Sequence, residues 1–214
     1  MMKYLFVMVF LFFSGCSFKP SINQWQYKSA LAFNNYKKNF LSYKDILAKD
    51  DLKKAISYAK NGADIDMLSS IYLGKCALNI SIGIKDKCNE YNNIKDLVES
   101  KSQESYYAFI QKDFNNIDIE NLDERYRDFA KYLSQKDYKK ANEEIKNLKE
   151  PTSKLLAISL LGDKVSKQNL KEAIDLTSFY GYKKGVIYLL GRYKTKVDLK
   201  TKDKIDKKIQ ILLK

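Results

Sequence analysis

Few residues in this chain have side chains suited to covalent or metal chemistry, and they lie far apart. Cysteines stand at Cys16, Cys76 and Cys88, and the sequence contains no histidine. Without histidine, no Ser-His or Cys-His nucleophile pair and no His-based metal site can be assembled. The cysteines lack zinc-finger spacing, and no glycine-rich phosphate loop follows a strand-like run, so no cofactor or metal is expected. Cys76 and Cys88 enclose eleven residues, ALNISIGIKDK, with Gly83 as a turn former near the middle. In an exported chain such a pair reads as a structural disulfide joining the end of one helix to the start of the next. Two free thiols are the alternative; a redox-active pair would have C-x-x-C spacing. The acidic pairs Asp64/Asp66 and Glu143/Glu144 read as solvated helix residues.

Cys16 has different surroundings. Behind the single positive Lys3 runs an apolar stretch of ten residues, Tyr4 to Phe13. That is half of the roughly 20 needed to cross a bilayer core. A short basic start, a short apolar core and then the small residues Ser14 and Gly15 form the layout of a secretory signal. With Cys16 next, the segment resembles the lipobox of bacterial lipoproteins, although Phe13 stands where leucine is usual. The resemblance implies a cleaved signal peptide over residues 1–15 and acylation of Cys16. Residues 16–23, with Pro20 and no helical periodicity, then read as the lipidated cysteine and its tether, and 24–214 as the folded domain. Ser17, rather than aspartate, after the cysteine fits an outer-membrane protein facing the periplasm; display on the cell surface is the alternative. The membrane, through the N-terminal lipid, is therefore the first expected partner.

Two further features bear on function. Gln103-Glu104-Ser105 resembles the segment that carries the catalytic glutamate in lytic transglycosylases, which need a carboxylic acid held protonated in a cleft. The Gly-Leu-Met-Gln type segment that those murein-cleaving enzymes carry downstream is missing here. The formal net charge is +13, and from Arg192 to Lys214 nine Lys or Arg face three Asp. Arg192, Lys194, Lys196, Lys200, Lys202, Lys204, Lys207 and Lys208 thus form a candidate basic surface for anionic lipid or cell-wall polymer. The alternative is a solvated, lysine-rich last helix. Nucleic acid is not expected as a partner of an exported, lipid-anchored chain.

Helices must position these residues. Two prolines and eight glycines among abundant Lys, Leu, Ile, Ala and Glu argue for long helices and against sheets, so the fold class is all-α. Trp25, Ala32, Tyr36, Phe40, Tyr43 and Leu47 follow helical spacing and read as one aromatic-rich face. Ile119, Leu122, Tyr126, Phe129 and Leu133 form an apolar seam, repeated by Tyr138, Ala141, Ile145 and Leu148; Ile205, Ile209 and Leu212 make a last stripe. Tyr106, Tyr107, Phe109, Ile110 and Phe114 suggest one helix in the less regular region between Asn89 and Asn116.

Three segments are alike: Asp51–Lys75, Asp137–Asp163 and Asn169–Arg192. Each opens with an Asp or Asn placed to cap a helix, carries a breaker in the middle (Gly62, Pro151 or Gly181), and closes on Leu-Gly at Gly74, Gly162 or Gly191. Such helix-turn-helix pairs suggest an α-solenoid, with a non-repetitive helical bundle as the alternative. Leu161-Gly162, Leu190-Gly191 and Ala173 resemble positions of the tetratricopeptide repeat, though no Trp opens these units. Anchor plus repeats resembles the pilotins and assembly factors of envelope machines. The expected function is a non-enzymatic scaffold that binds an envelope protein. A cell-wall or polysaccharide-associated lipoprotein, with murein-cleaving activity as one form, and a surface lipoprotein contacting host or environment are the alternatives.

Overall fold

The computed structural model describes residues 23–214, and they are all-α, with no strand among them. The helices are α1 Gln24–Leu41, α2 Asp45–Asn61, α3 Ile65–Ser81, the short α4 Asn89–Asn92, and α5 Lys101–Gln111. They continue with α6 Glu124–Ser134, α7 Tyr138–Asn147, α8 Pro151–Leu161, α9 Lys167–Phe179, α10 Lys183–Lys194 and α11 Leu199–Leu213. Single 3-10 turns at Lys95–Leu97, Ile119–Asn121 and Gly162–Lys164 link some of them. No helix among the described residues is long and apolar enough to cross a membrane.

Local chemistry sets the helix ends. Side chains of Asp64, Asp123, Asp137, Ser166 and Asp198 accept backbone N–H groups at the starts of α3, α6, α7, α9 and α11. Each satisfies a donor that the helix itself leaves free. Pro151 occupies the first turn of α8, where its missing N–H costs nothing. Gly62 ends α2, and Gly83 and Gly181 turn the chain at φ 80° and 66°. Gly162 ends α8 at φ 59°.

The three similar segments are not in the same phase on the helices. Asp137 caps α7 as expected, but Asp51 lies inside α2, which begins six residues earlier, at Asp45. Asn169 lies inside α9, where Ser166 is the cap. Gly74 and Gly191 sit within α3 and α10 rather than at helix ends. The aromatic face also breaks. Ala32 and Tyr36 are buried on α1, but α1 stops at Leu41 and Tyr43 adopts φ 67° in the turn. Leu47 therefore falls on α2, where it is exposed. Phe114 lies beyond the end of α5.

α3 and α8 organise the core. Both are apolar around much of their circumference, and such helices are stable only when surrounded. Leu73, Cys76, Ala77 and Leu78 of α3 share one core with Leu155, Leu156, Ile158 and Leu160 of α8. The two helices pack together, and Ser159 Oγ donates to Ile80 O at 2.5 Å. α1 and α2 pair closely over the small residues Ser29, Ala32, Ala55 and Ala59, where Ser29 Oγ donates to Ala55 O at 2.9 Å. α6 pairs with α7, α9 with α10, and α10 with α11. α1 also touches α10, so the two ends of the domain meet, and Lys184 of α10 makes an ion pair with Asp45.

Candidate functional site

A groove opens where α3, α5, α6 and α8 converge beside α1. It consists of a cavity of about 350 Å³ and an adjoining one of about 130 Å³, which share Gly74, Tyr106, Tyr126 and Thr152. Gly74 shapes the passage: a Cβ there would collide with the ring of Phe33 on α1, so only the bare helix backbone leaves room for that ring. The α3–α5 wall is tied by Gln103. Its amide donates to Asp66 O and to Ser70 Oγ, both at 2.9 Å, and its carbonyl accepts from Ser69 Oγ.

The apolar seam of α6 places Tyr126 against α5. Tyr106 and Tyr126 rings stand 6.1 Å apart, and Phe109 contacts both Tyr126 and Phe129. Burial pushes the Tyr106 phenol well above its usual range, with Tyr126 adding to the effect. Tyr126 is likewise raised by burial, opposed by a hydrogen bond with Ser153. Both phenols are protonated at neutral pH, and the Tyr126 hydroxyl is already engaged with Ser153. At the mouth, Arg125 Nε donates to Asp123 Oδ1 at 2.8 Å. Burial works to raise the Asp123 carboxyl, but bonds from the Arg125 side chain and backbone outweigh it and hold the group below its ordinary value. The groove thus combines ring faces, neutral donors and one paired carboxylate. That is binding chemistry suited to an extended peptide or a sugar.

The two later cysteines form the expected bridge. Cys76 and Cys88 are joined, with Cα atoms 5.3 Å apart and both residues buried. The Asp86 carboxylate beside them accepts from Asn79 Nδ2 and from Cys88 N, each at 2.7 Å. Gln111 Nε2 reaches from α5 to Asp86 O at 3.0 Å and Cys88 Sγ at 3.2 Å. Although Cys76, Asp86 and Cys88 converge as metal ligands would, their atoms are already engaged in closing the loop. Cys16 lies outside the described residues.

The candidate basic surface divides. Arg192 Nη2 pairs with Asp163 at 2.8 Å, Lys194 with Asp206 at 2.5 Å, and Lys196 Nζ donates to Asp163 O at 3.0 Å. These three fasten α10 and the turn after it to their surroundings. Lys200, Lys204, Lys207 and Lys208 are exposed on α11, opposite the buried Ile205 and half-buried Ile209 and Leu212, while Lys202 is half-buried. Glu104 is exposed on α5 and lines, with Tyr91 and Tyr107, a cavity of about 480 Å³ separate from the groove.

The sequence marks Tyr126 as a seam residue and Tyr106 as part of a helix, without a hint that they line an opening. Ser70, Arg125 and Thr152 had no signal at all, because they come from three different helices and follow no period. Comparison with protein-family models, with curated proteins and with solved structures finds no match to this chain.

Proposed function

We propose that this protein is a lipid-anchored scaffold of the bacterial cell envelope, held at the outer membrane through Cys16 and binding a segment of another envelope protein. The observation that carries the reading is the groove between α3, α5, α6 and α8, where tyrosine rings and neutral hydrogen-bond donors converge. The pairs α6–α7 and α9–α10 support helix-turn-helix repeats as the building plan, closed on itself through α3–α8 and α1–α10. The Ser14-Gly15-Cys16 sequence supports the anchor. Two acyl chains and an N-acyl group bury many CH2 units at about 0.8 kcal/mol each, enough for stable attachment. No step of catalysis is assigned.

The same tyrosines favour one second reading, a cell-wall or polysaccharide-binding lipoprotein, because rings beside amide and hydroxyl donors also suit sugars. Two assays separate them. Metabolic labelling with a fatty-acid analogue should mark the protein and fail in Cys16→Ala; unchanged labelling in that variant refutes the anchor. Incubation with murein sacculi should give neither cleavage nor cosedimentation. Cosedimentation lost in Tyr106→Ala would replace the protein partner with a polysaccharide, and cleavage lost in Glu104→Gln would make the protein an enzyme.

A further inference from the structure

A second cavity, of about 550 Å³, lies beside the disulfide loop and shares no lining residue with the groove. Lys85 and Lys87 enter it from the disulfide loop, Lys112 from the end of α5, and Arg192 from α10. Its apolar lining includes Ile80, Ile84 and the ring of Tyr188. Asp86 is the carboxylate in the lining, and both of its oxygens already accept hydrogen bonds from the loop. Among the described residues, Lys85, Lys87 and Lys112 make no ion pair. Arg192 spends Nη2 on Asp163, yet its Nε is buried and meets no acceptor.

Lys85, Lys87 and Lys112 are exposed at the cavity, and Arg192 is half-buried. The Lys112 amine is nonetheless held below its ordinary value by partial desolvation and by the Arg192 charge, so the two cations feel each other across the cavity they both line. Lys112 is also fixed at φ 59°, a left-handed position that side chains other than Gly and Asn rarely take. An orphaned buried N–H and converging like charges are both relieved by an anion. A carboxylate brings one charge; a phosphate brings up to two, with three acceptor oxygens that suit a guanidinium and several ammonium groups. The volume falls within the range of about 300–1,000 Å³ typical of small-molecule sites. Tyr188 and the isoleucines offer a face for the body that carries the phosphate.

We infer that this cavity is a binding site for a phosphate-bearing ligand, held by Lys85, Lys87, Lys112 and Arg192. The cargo is a soluble sugar phosphate or the headgroup of an anionic lipid; both present the same phosphate to the same cations. Two of the four cations sit on the loop closed by Cys76–Cys88. The site is independent of the groove and of the exposed lysines of α11.

The test uses the full chain in nonionic detergent, titrated calorimetrically with inorganic phosphate and with glucose 6-phosphate. Calorimetric titration with the soluble short-chain lipid dihexanoyl phosphatidylglycerol, against dihexanoyl phosphatidylcholine, forms the second arm. Saturable binding in either arm, weakened about tenfold or more by Lys112→Gln and unchanged by Lys204→Gln on α11, is the expected result. The arm that responds identifies the source of the phosphate. Lys87→Gln provides a second variant should Lys112→Gln melt early. No saturable binding in either arm overturns the proposal. So does binding that survives both Lys112→Gln and Lys87→Gln but is lost in Lys204→Gln, since the α11 surface would then be the site.

Discussion

Opening the Cys76–Cys88 bridge should cost the folded domain about 3 kcal/mol. The figure follows from the sequence separation of 12. On the chain-entropy model, closing a loop of that length removes about 9–10 cal/mol/K from the unfolded ensemble, or about 3 kcal/mol at 25 °C. The native state should change little on reduction. The turn at Gly83, the Asp86 bonds to Asn79 and Cys88 N, and the Gln111 bond to Asp86 O all hold the loop without the sulfur link. The loss therefore belongs to the unfolded chain, and reduced and oxidised proteins should share one circular-dichroism spectrum. Urea unfolding followed by circular dichroism gives the difference directly, and the melting temperature should fall by about 6–12 °C for a domain of this size. A Cys76→Ala/Cys88→Ala variant should lose at least as much, because it also removes two buried sulfurs. A loss below about 1 kcal/mol on reduction would refute the reasoning, as would a native spectrum that changes.

Glycine at two turns separates backbone strain from crowding. Gly181→Ala meets only the positive φ, since no atom lies within 4 Å of its new Cβ, and should cost about 1–2 kcal/mol. Gly83→Ala meets the same strain and the ring of Tyr188 at 2.6 Å, and should cost about 1 kcal/mol more; equal urea midpoints would sink the crowding argument. Stability should also fall at both ends of the pH scale. Tyr91 is raised by burial to about 12, and Tyr36, Tyr106 and Tyr126 are raised by burial as well. Raised folded values mean that their contribution is full below the ordinary value of 10.0 and is lost as pH climbs through the folded values. Asp118 and Asp198 are lowered, chiefly by the Asn121 side chain and the Thr201 amide, and Asp123 by Arg125 against its burial. Their contribution is present above 3.8 and lost as pH falls through the lower folded values. Urea midpoints that stay flat above pH 10 while tyrosinate absorbance rises would contradict the alkaline half of this expectation.

How far the sequence could be read depended on whether a signal was local. Gly62, Gly83, Pro151 and Gly181 mark turns by their own backbone chemistry, and all four are turns or helix ends. The α6 seam from Leu122 to Leu133 and the Asp137 cap were likewise visible within a few residues. Tyr43 was not, because a tyrosine at φ 67° carries no turn signature, so α1 was read through into α2. Cys88 at φ 53°, opening the short α4, is a similar case. The pairing of α3 with α8 had no signal either. Helices that are apolar all round point in no particular direction, and only the assembled fold selects their neighbour. The groove and the basic cavity are gathered from several helices each, which is why periodicity identified neither. The lysines of the C-terminal stretch show the reverse problem: composition made them one surface, and ion pairs with Asp163 and Asp206 divided it.

The central claim, a groove that holds a partner segment, is tested most directly by photo-crosslinking in the native cells. A photoreactive residue in place of Ser102, in the lining of the groove, would be compared with one in place of Lys139, on α7 away from it. A discrete protein adduct from Ser102 alone, weakened by Tyr106→Ala, is the outcome that the groove predicts. No protein adduct from Ser102, or the same adducts from both positions, would contradict it.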